Sequence, residues 1–139
     1  MQGAVILAGT AAVIAAEVLR KARPTAVNLF WAVQRVLDRV AAAQPATADA
    51  MRALVQVEAD AICNEDAAQN VKIGIYGQAA VPDPANIIHH CNTGALATAG
   101  YGTALGVIRR AHEEGKKIHV VVDETRPRLQ GARLTTWEL

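Results

Sequence analysis

The sequence predicts an α/β fold, in which a helical N-terminal region is followed by the start of a Rossmann-like, doubly wound parallel sheet. Three observations carry this. Apolar residues recur at helical spacing through most of the first half of the chain. The rhythm changes at Pro82-Asp83-Pro84 to short apolar runs of strand length. Between two such runs lies a glycine- and alanine-rich stretch long enough for a crossover helix, the order that gives parallel pairing. The predicted boundary is therefore at Pro82–Pro84, with a helical region over 1–81 and an incomplete strand–helix–strand–helix unit over 82–139.

Gly9 to Leu19 reads as a nearly all-apolar helix. The apolar run Ala4 to Ala16 is shorter than the ~20 residues a membrane span needs, so a buried helix is expected. No basic segment precedes it and Glu17, Arg20, Lys21 and Arg23 follow at once, so no signal peptide is expected. Arg23-Pro24-Thr25 interrupts the pattern, and Pro24 or Thr25 opens a second helix through Val40 with Val27, Phe30, Trp31, Val33, Val36, Leu37 and Val40 at helical spacing. Ala43 to Ala46 is a loop containing Pro45. Thr47 is an N-cap for a helix from Ala48 to about Gln69, which Asn70 to Gly77 can extend.

Asn86 to His90 is the first strand. The next helix is expected from about Ala95 to Glu114, with Gly115 as its stop. Ile118 to Val122 is the second strand, Asp123 to Arg128 a loop, and a last helix begins near Gly131. A lone parallel pair leaves its faces uncovered, so a homo-oligomer or a longer sheet is expected.

Cys91 follows the first strand. The orphan N–H groups and positive dipole end of a helix starting there would activate a thiol, whereas Cys63 falls in a helix body and reads as structural. Asn92, Thr93 and Gly94 form the turn and could present N–H groups to a phosphate. Gly94, Gly100, Gly102 and Gly106 do not have dinucleotide-binding spacing, and the last three read as close helix packing. Arg126 and Arg128, in a loop stiffened by Pro127, suit bidentate phosphate recognition unless Asp123 and Glu124 neutralise them. Gln130 can bond hydroxyls. Arg23 alone reads as a charge at a helix start. His89 and His90 point to opposite faces of a strand, and no histidine has metal-ligand spacing, so no metal is expected.

The composition is 52% hydrophobic and only 4% aromatic, which implies a core of Ala, Val, Leu and Ile. A net charge of +1 without a basic stripe argues against nucleic acid or an anionic membrane surface as partner. Two distant cysteines fit reduced thiols in a cytoplasmic protein.

At these residues the sequence resembles the methylthioribose-1-phosphate isomerases of methionine salvage. Their superfamily also holds ribose-1,5-bisphosphate isomerases and the regulatory subunits of translation initiation factor 2B. The matching stretches are Arg23-Pro24-Thr25-Ala26-Val27-Asn28-Leu29, Glu65-Asp66 to Asn70, Ile73-Gly74, Cys91-Asn92-Thr93-Gly94-Ala95-Leu96-Ala97-Thr98 and the run from Gly100 to Leu139. The resemblance implies aldose–ketose isomerisation of a ring-closed sugar 1-phosphate, without metal or cofactor, in a dimer. Cys91 matches the catalytic cysteine, and Arg23 and Gln130 match substrate-binding positions. The family's Arg-Gly-Ala phosphate segment has only an echo in Gln2-Gly3-Ala4. No aspartate of this sequence matches the family's catalytic aspartate, which would stand on a strand beyond Leu139, so little turnover is expected from these residues alone. A ribose-1,5-bisphosphate isomerase and a non-catalytic, initiation factor 2B-like regulatory or assembly module are the alternatives.

Overall fold

The computed structural model describes residues 2–25, 27–126 and 128–139, with side chains in the first helix from Ala8 onward. The elements, in order, are α1 (Gln2–Ala22), α2 (Val27–Ala43), α3 (Ala48–Gly77), β1 (Ala85–His89), α4 (Ala104–Glu113), β2 (Ile118–Val122), a π-helical turn (Gly131–Thr135) and α5 (Thr136–Glu138). Short 3₁₀ turns stand at Gln78–Ala80 and Ala95–Ala97. Two compact units result, 1–62 and 63–139, and the division falls inside α3.

In the first unit alanine gives α1 its helical propensity, and Arg20 and Lys21 in its last turn suit the negative end of the dipole. Arg20 also donates to Glu17 at 2.9 Å and to Gln34 of α2. Glu58 of α3 binds Arg35 of α2 at 2.6 Å and stands 3.7 Å from Arg39. Thr47 caps α3 as expected, its Oγ1 accepting the Ala50 N–H at 3.1 Å. Helix α2 opens at Val27 rather than at Pro24 or Thr25, which lie in a turn. The helix expected to be buried is not: within α1, Val13, Ile14 and Val18 are each more than half exposed, and Ala16 is the buried position among its described side chains.

In the second unit the end of α3 crosses α4 at close range because glycines line the crossing. A Cβ on Gly74 would come 2.7 Å from the Tyr101 ring and 3.0 Å from the Gly106 carbonyl, and one on Gly77 2.5 Å from a Val107 methyl. The helical extension over Asn70 to Gly77 is thus part of the same unit as the sheet, which is why the units divide upstream of Pro82–Pro84.

Strands β1 and β2 pair in parallel, from Ala85 opposite Ile118 to His89 opposite Val122. Burial alternates along both strands. Leu105, Ile108 and Ala111 form the buried side of α4. The opposite sheet face carries Ile88, 83% exposed, and Val121, 51% exposed. Helix α4 ends as predicted: Gly115, at φ 83°, permits the Lys116 N–H to reach the Ala111 carbonyl at 3.0 Å.

The start of α4 corrects the sequence expectation. The expected helix over Ala95–Glu114 is only a 3₁₀ turn until Thr98, and α4 begins at Ala104. Gly100, Tyr101 and Gly102 take φ values of 122°, 66° and 93°, which no right-handed helix accommodates. Gly100 and Gly102 therefore turn a loop, while Gly106 alone of the three packs within the helix.

Candidate functional site

The loops leaving the C-terminal ends of β1 and β2 meet, and Cys91 stands at their junction. Its side chain is exposed and its backbone is left-handed, at φ 69°. Such a conformation is uncommon outside glycine and costs roughly 1–2 kcal/mol. Two threonine hydroxyls oppose that cost. The Cys91 N–H donates to Thr125 Oγ1 at 3.2 Å, and the Cys91 carbonyl accepts the Thr135 hydroxyl at 3.1 Å. Thr135 is completely buried. Thr125 in turn donates to Asp123 Oδ1 at 2.7 Å, and the other oxygen of Asp123 engages His90 Nδ1. The His90 contact, and next the Thr125 hydroxyl, hold the Asp123 carboxyl below its ordinary pKa. Thr125 and Leu129 are also left-handed, at φ 53° and 58°. Gly131 is obligatory for the approach, since a Cβ there would overlap the Asp123 carbonyl oxygen.

Cys91 is therefore not at the N-terminus of an α-helix, as the sequence suggested. The amides after it meet a carboxylate of the same chain instead. Ala95 N–H donates to Glu138 Oε2 at 2.7 Å and Leu96 N–H to Oε1 at 3.4 Å, with Gly94 buried against that carboxylate. The Gly94 N–H reaches Asn92 Oδ1 at 3.5 Å. Thr93 is the anchor of α4: its Oγ1 accepts the Leu105 N–H at 2.9 Å and its carbonyl the Thr103 N–H at 2.8 Å. The same hydroxyl meets His89 Nε2 at 2.9 Å. His89 is 3% exposed and its Nδ1 has no partner among the described residues. Burial, the largest influence, pushes its pKa down, while Asp123 pulls the other way. His90 lies on the exposed side of the strand end, as strand alternation predicts.

Arg126 is exposed and pairs with Glu124 at 2.7 Å, and Arg128 is exposed. Pro127, read as stiffening this loop, lies outside the described residues. Gln130 is half-buried, and its Oε1 is enclosed without a hydrogen bond among the described residues. The structure thus gathers Cys91, Asn92, Thr93, Gly94, Arg126, Arg128 and Gln130 on adjoining segments of the second unit. Arg23 is exposed in the bend after α1, in the first unit. Sequence reasoning missed Thr125, Thr135 and Glu138, which act on the turn from 34 to 44 residues away. The strand ends flagged that loops would meet there, but no local pattern marks those contacts. Among the described residues no cluster of His, Cys, Asp and Glu could hold a metal, and no helix is long and apolar enough to cross a membrane.

Comparison with known proteins identifies the family of the chain. Residues 13–139 match the profile of the Initiation factor 2 subunit family. The chain is 58% identical over 117 residues to a methylthioribose-1-phosphate isomerase of Desulforamulus reducens, covering 84% of this chain and 34% of that protein. It is also 58% identical over 126 residues to one of Synechococcus sp., covering 91% and 36%. The 5-methylthioribose 1-phosphate isomerase of Pyrococcus horikoshii superposes with a TM-score of 0.79 at 44% identity, over 89% of this chain and 35% of that one. The translation initiation factor eIF-2B subunit delta of A. fulgidus superposes with a TM-score of 0.77 at 43% identity, over 94% and 38%. The chain thus spans about a third of the length of the curated relatives it matches.

Proposed function

This chain belongs to the Initiation factor 2 subunit family, and we propose that it carries the thiol side of an aldose–ketose isomerase site whose substrate is S-methyl-5-thioribose 1-phosphate, in the methionine-salvage branch of amino-acid biosynthesis. The observation that carries this reading is the 58% identity to proteins named for that reaction, over most of the chain.

The reaction converts a ring-closed aldose 1-phosphate into a ketose 1-phosphate. One group must protonate the ring oxygen so that the ring opens, and another must move a proton from C2 to C1 through an enediol-like intermediate. Cys91 carries the second proton. Its left-handed turn presents an exposed sulfur at the end of a strand, where a bound sugar can lie against it. Gln130 offers an enclosed acceptor oxygen to a sugar hydroxyl. Arg128, and Arg126 once exchanged from Glu124, supply guanidinium groups for the phosphate, and Arg23 is a substrate-binding position by the family resemblance alone. Asn92, Thr93 and Gly94 shape the turn around the thiol. The ring-opening acid is the family's aspartate, which no aspartate of this sequence matches. The chain works without metal or cofactor, in the cytoplasm, as a homo-oligomer that covers the apolar sheet face at Ile88 and Val121, and it binds neither nucleic acid nor membrane.

Titration with methylthioribose 1-phosphate, followed by amide NMR, tests this. Shifts concentrated at Cys91–Gly94 and Arg126–Gln130 are expected, with turnover lower than that of a complete site by ~10²–10⁴-fold or more. Absence of saturable shifts at those residues would overturn the isomerase reading. The A. fulgidus likeness supports a second reading, a regulatory module. Saturable binding that Cys91→Ser leaves intact, with turnover that the same substitution does not lower, would favour that module.

A further inference from the structure

The geometry points to Thr125 and Thr135 as positioning residues that hold the Cys91 thiol out of the sheet; the functional weight of this inference rests on the isomerase reading, although its physical content does not. Side chains alternate along a strand. His89 is buried and His90 exposed, so a Cys91 that continued β1 would turn its sulfur to the buried face. The left-handed turn at Cys91 breaks this alternation and leaves the side chain exposed.

Both peptide groups flanking the Cys91 Cα are held from outside the strand. Thr125 takes the N–H at 3.2 Å and Thr135 binds the carbonyl at 3.1 Å. The direction of the first bond is set by Asp123. Because the Thr125 hydroxyl gives its only proton to Asp123 at 2.7 Å, its oxygen is left to face the Cys91 N–H as an acceptor. Asp123 is itself held by His90. The second bond uses a hydroxyl with no access to solvent, so it has no water to exchange with. A left-handed residue costs about as much as one or two net hydrogen bonds contribute. Losing one threonine hydroxyl is therefore enough to return Cys91 to the ordinary backbone and to shield the sulfur.

The test is the iodoacetamide alkylation rate of Cys91 in a Cys63→Ser background, since Cys63 is also exposed. Thr125→Val, which keeps the branched shape, is expected to slow alkylation about 5-fold, the equivalent of one net hydrogen bond. Exchange of the Cys91 amide should quicken by a similar factor while the Ile87 amide does not change. Thr125→Ser should restore both. Thr135→Val should slow alkylation in the same way. If either valine variant unfolds, Thr125→Gly removes the hydroxyl at a left-handed position that glycine favours, and it should still quicken Cys91 amide exchange relative to Ile87. Wild-type alkylation and exchange in folded Thr125→Val would overturn the inference. Neither readout uses a sugar phosphate, so failure of the isomerase reading would leave these rates as stated.

Discussion

Gly131→Ala tests how closely the second unit is built around the candidate site. A methyl group there would overlap the Asp123 carbonyl oxygen and stand 2.9 Å from its carbon and 3.1 Å from Thr125 Oγ1. These are backbone atoms and a bonded hydroxyl, so the neighbour cannot simply rotate away. The helical turn must move off the β2 loop by an ångström or more. That displacement breaks the Thr135–Cys91 bond at 3.1 Å and strands the buried Thr135 hydroxyl. An unsatisfied buried hydroxyl costs ~1–3 kcal/mol and overpacking a similar ~1–3 kcal/mol, against a gain of ~0.5–1 kcal/mol for alanine over glycine in a helix. A net loss of about 3 kcal/mol follows. Urea unfolding read by Trp137 fluorescence in a Trp31→Phe background would measure it. With a slope near 1 kcal/mol/M, the midpoint should fall by about 3 M, or the unit should be unfolded without urea. Gly115→Ala is the control, since φ there is 83° but a Cβ would meet nothing within 4 Å; it should cost only about 1 kcal/mol. Equal losses for the two variants would refute the close-approach argument.

Glu138→Ala should free the Ala95 and Leu96 amides, and their hydrogen exchange should accelerate by ~10-fold or more, given ~1.5–3 kcal/mol for a hydrogen bond to a charged group; unchanged exchange would show that the carboxylate does not hold the turn. His89 is buried with a lowered pKa, so the unfolded chain binds the proton more readily and the stability of the second unit should decline as pH falls below about 6.5 towards the folded value. Urea midpoints across pH 4–8 should show this slope, and His89→Gln should flatten it. Ile88→Lys should weaken self-association through the exposed sheet face, as a lower sedimentation coefficient at micromolar concentration would show.

The elements with a local cause were legible in the sequence. Thr47 capped α3, Gly115 stopped α4, and the short apolar run Ile118 to Val122 marked β2 with the bounds found. The start of α4 was not, because Ala95 to Ala99 has helical composition and only the backbone angles of Gly100, Tyr101 and Gly102 show that the chain turns there. The position of Cys91 at a strand end was legible, but its activation by a helix terminus was not the arrangement found. The residues that hold the turn, Thr125, Thr135 and Glu138, are ordinary hydroxyl and carboxyl side chains with no periodicity of their own. Only the parallel pairing of β1 with β2 and the return of the last turn bring them there.

Lys116 lies at the opposite end of the strands from Cys91, and its role reaches the site through alignment. Its ammonium group donates to the Gln78 and Val81 carbonyls at 2.6 and 2.7 Å, while the Lys117 N–H donates to Asp83 at 3.0 Å. These bonds clip the entry of β2 to the entry of β1 and fix which rung of the ladder comes first. A slip by one rung would turn the buried side chains of β2 to the other face. It would also carry Asp123 and Thr125 about 3.3 Å past the Cys91 N–H, beyond hydrogen-bonding reach. A lysine beyond the far end of the strand pair thus acts as the alignment pin for the thiol turn.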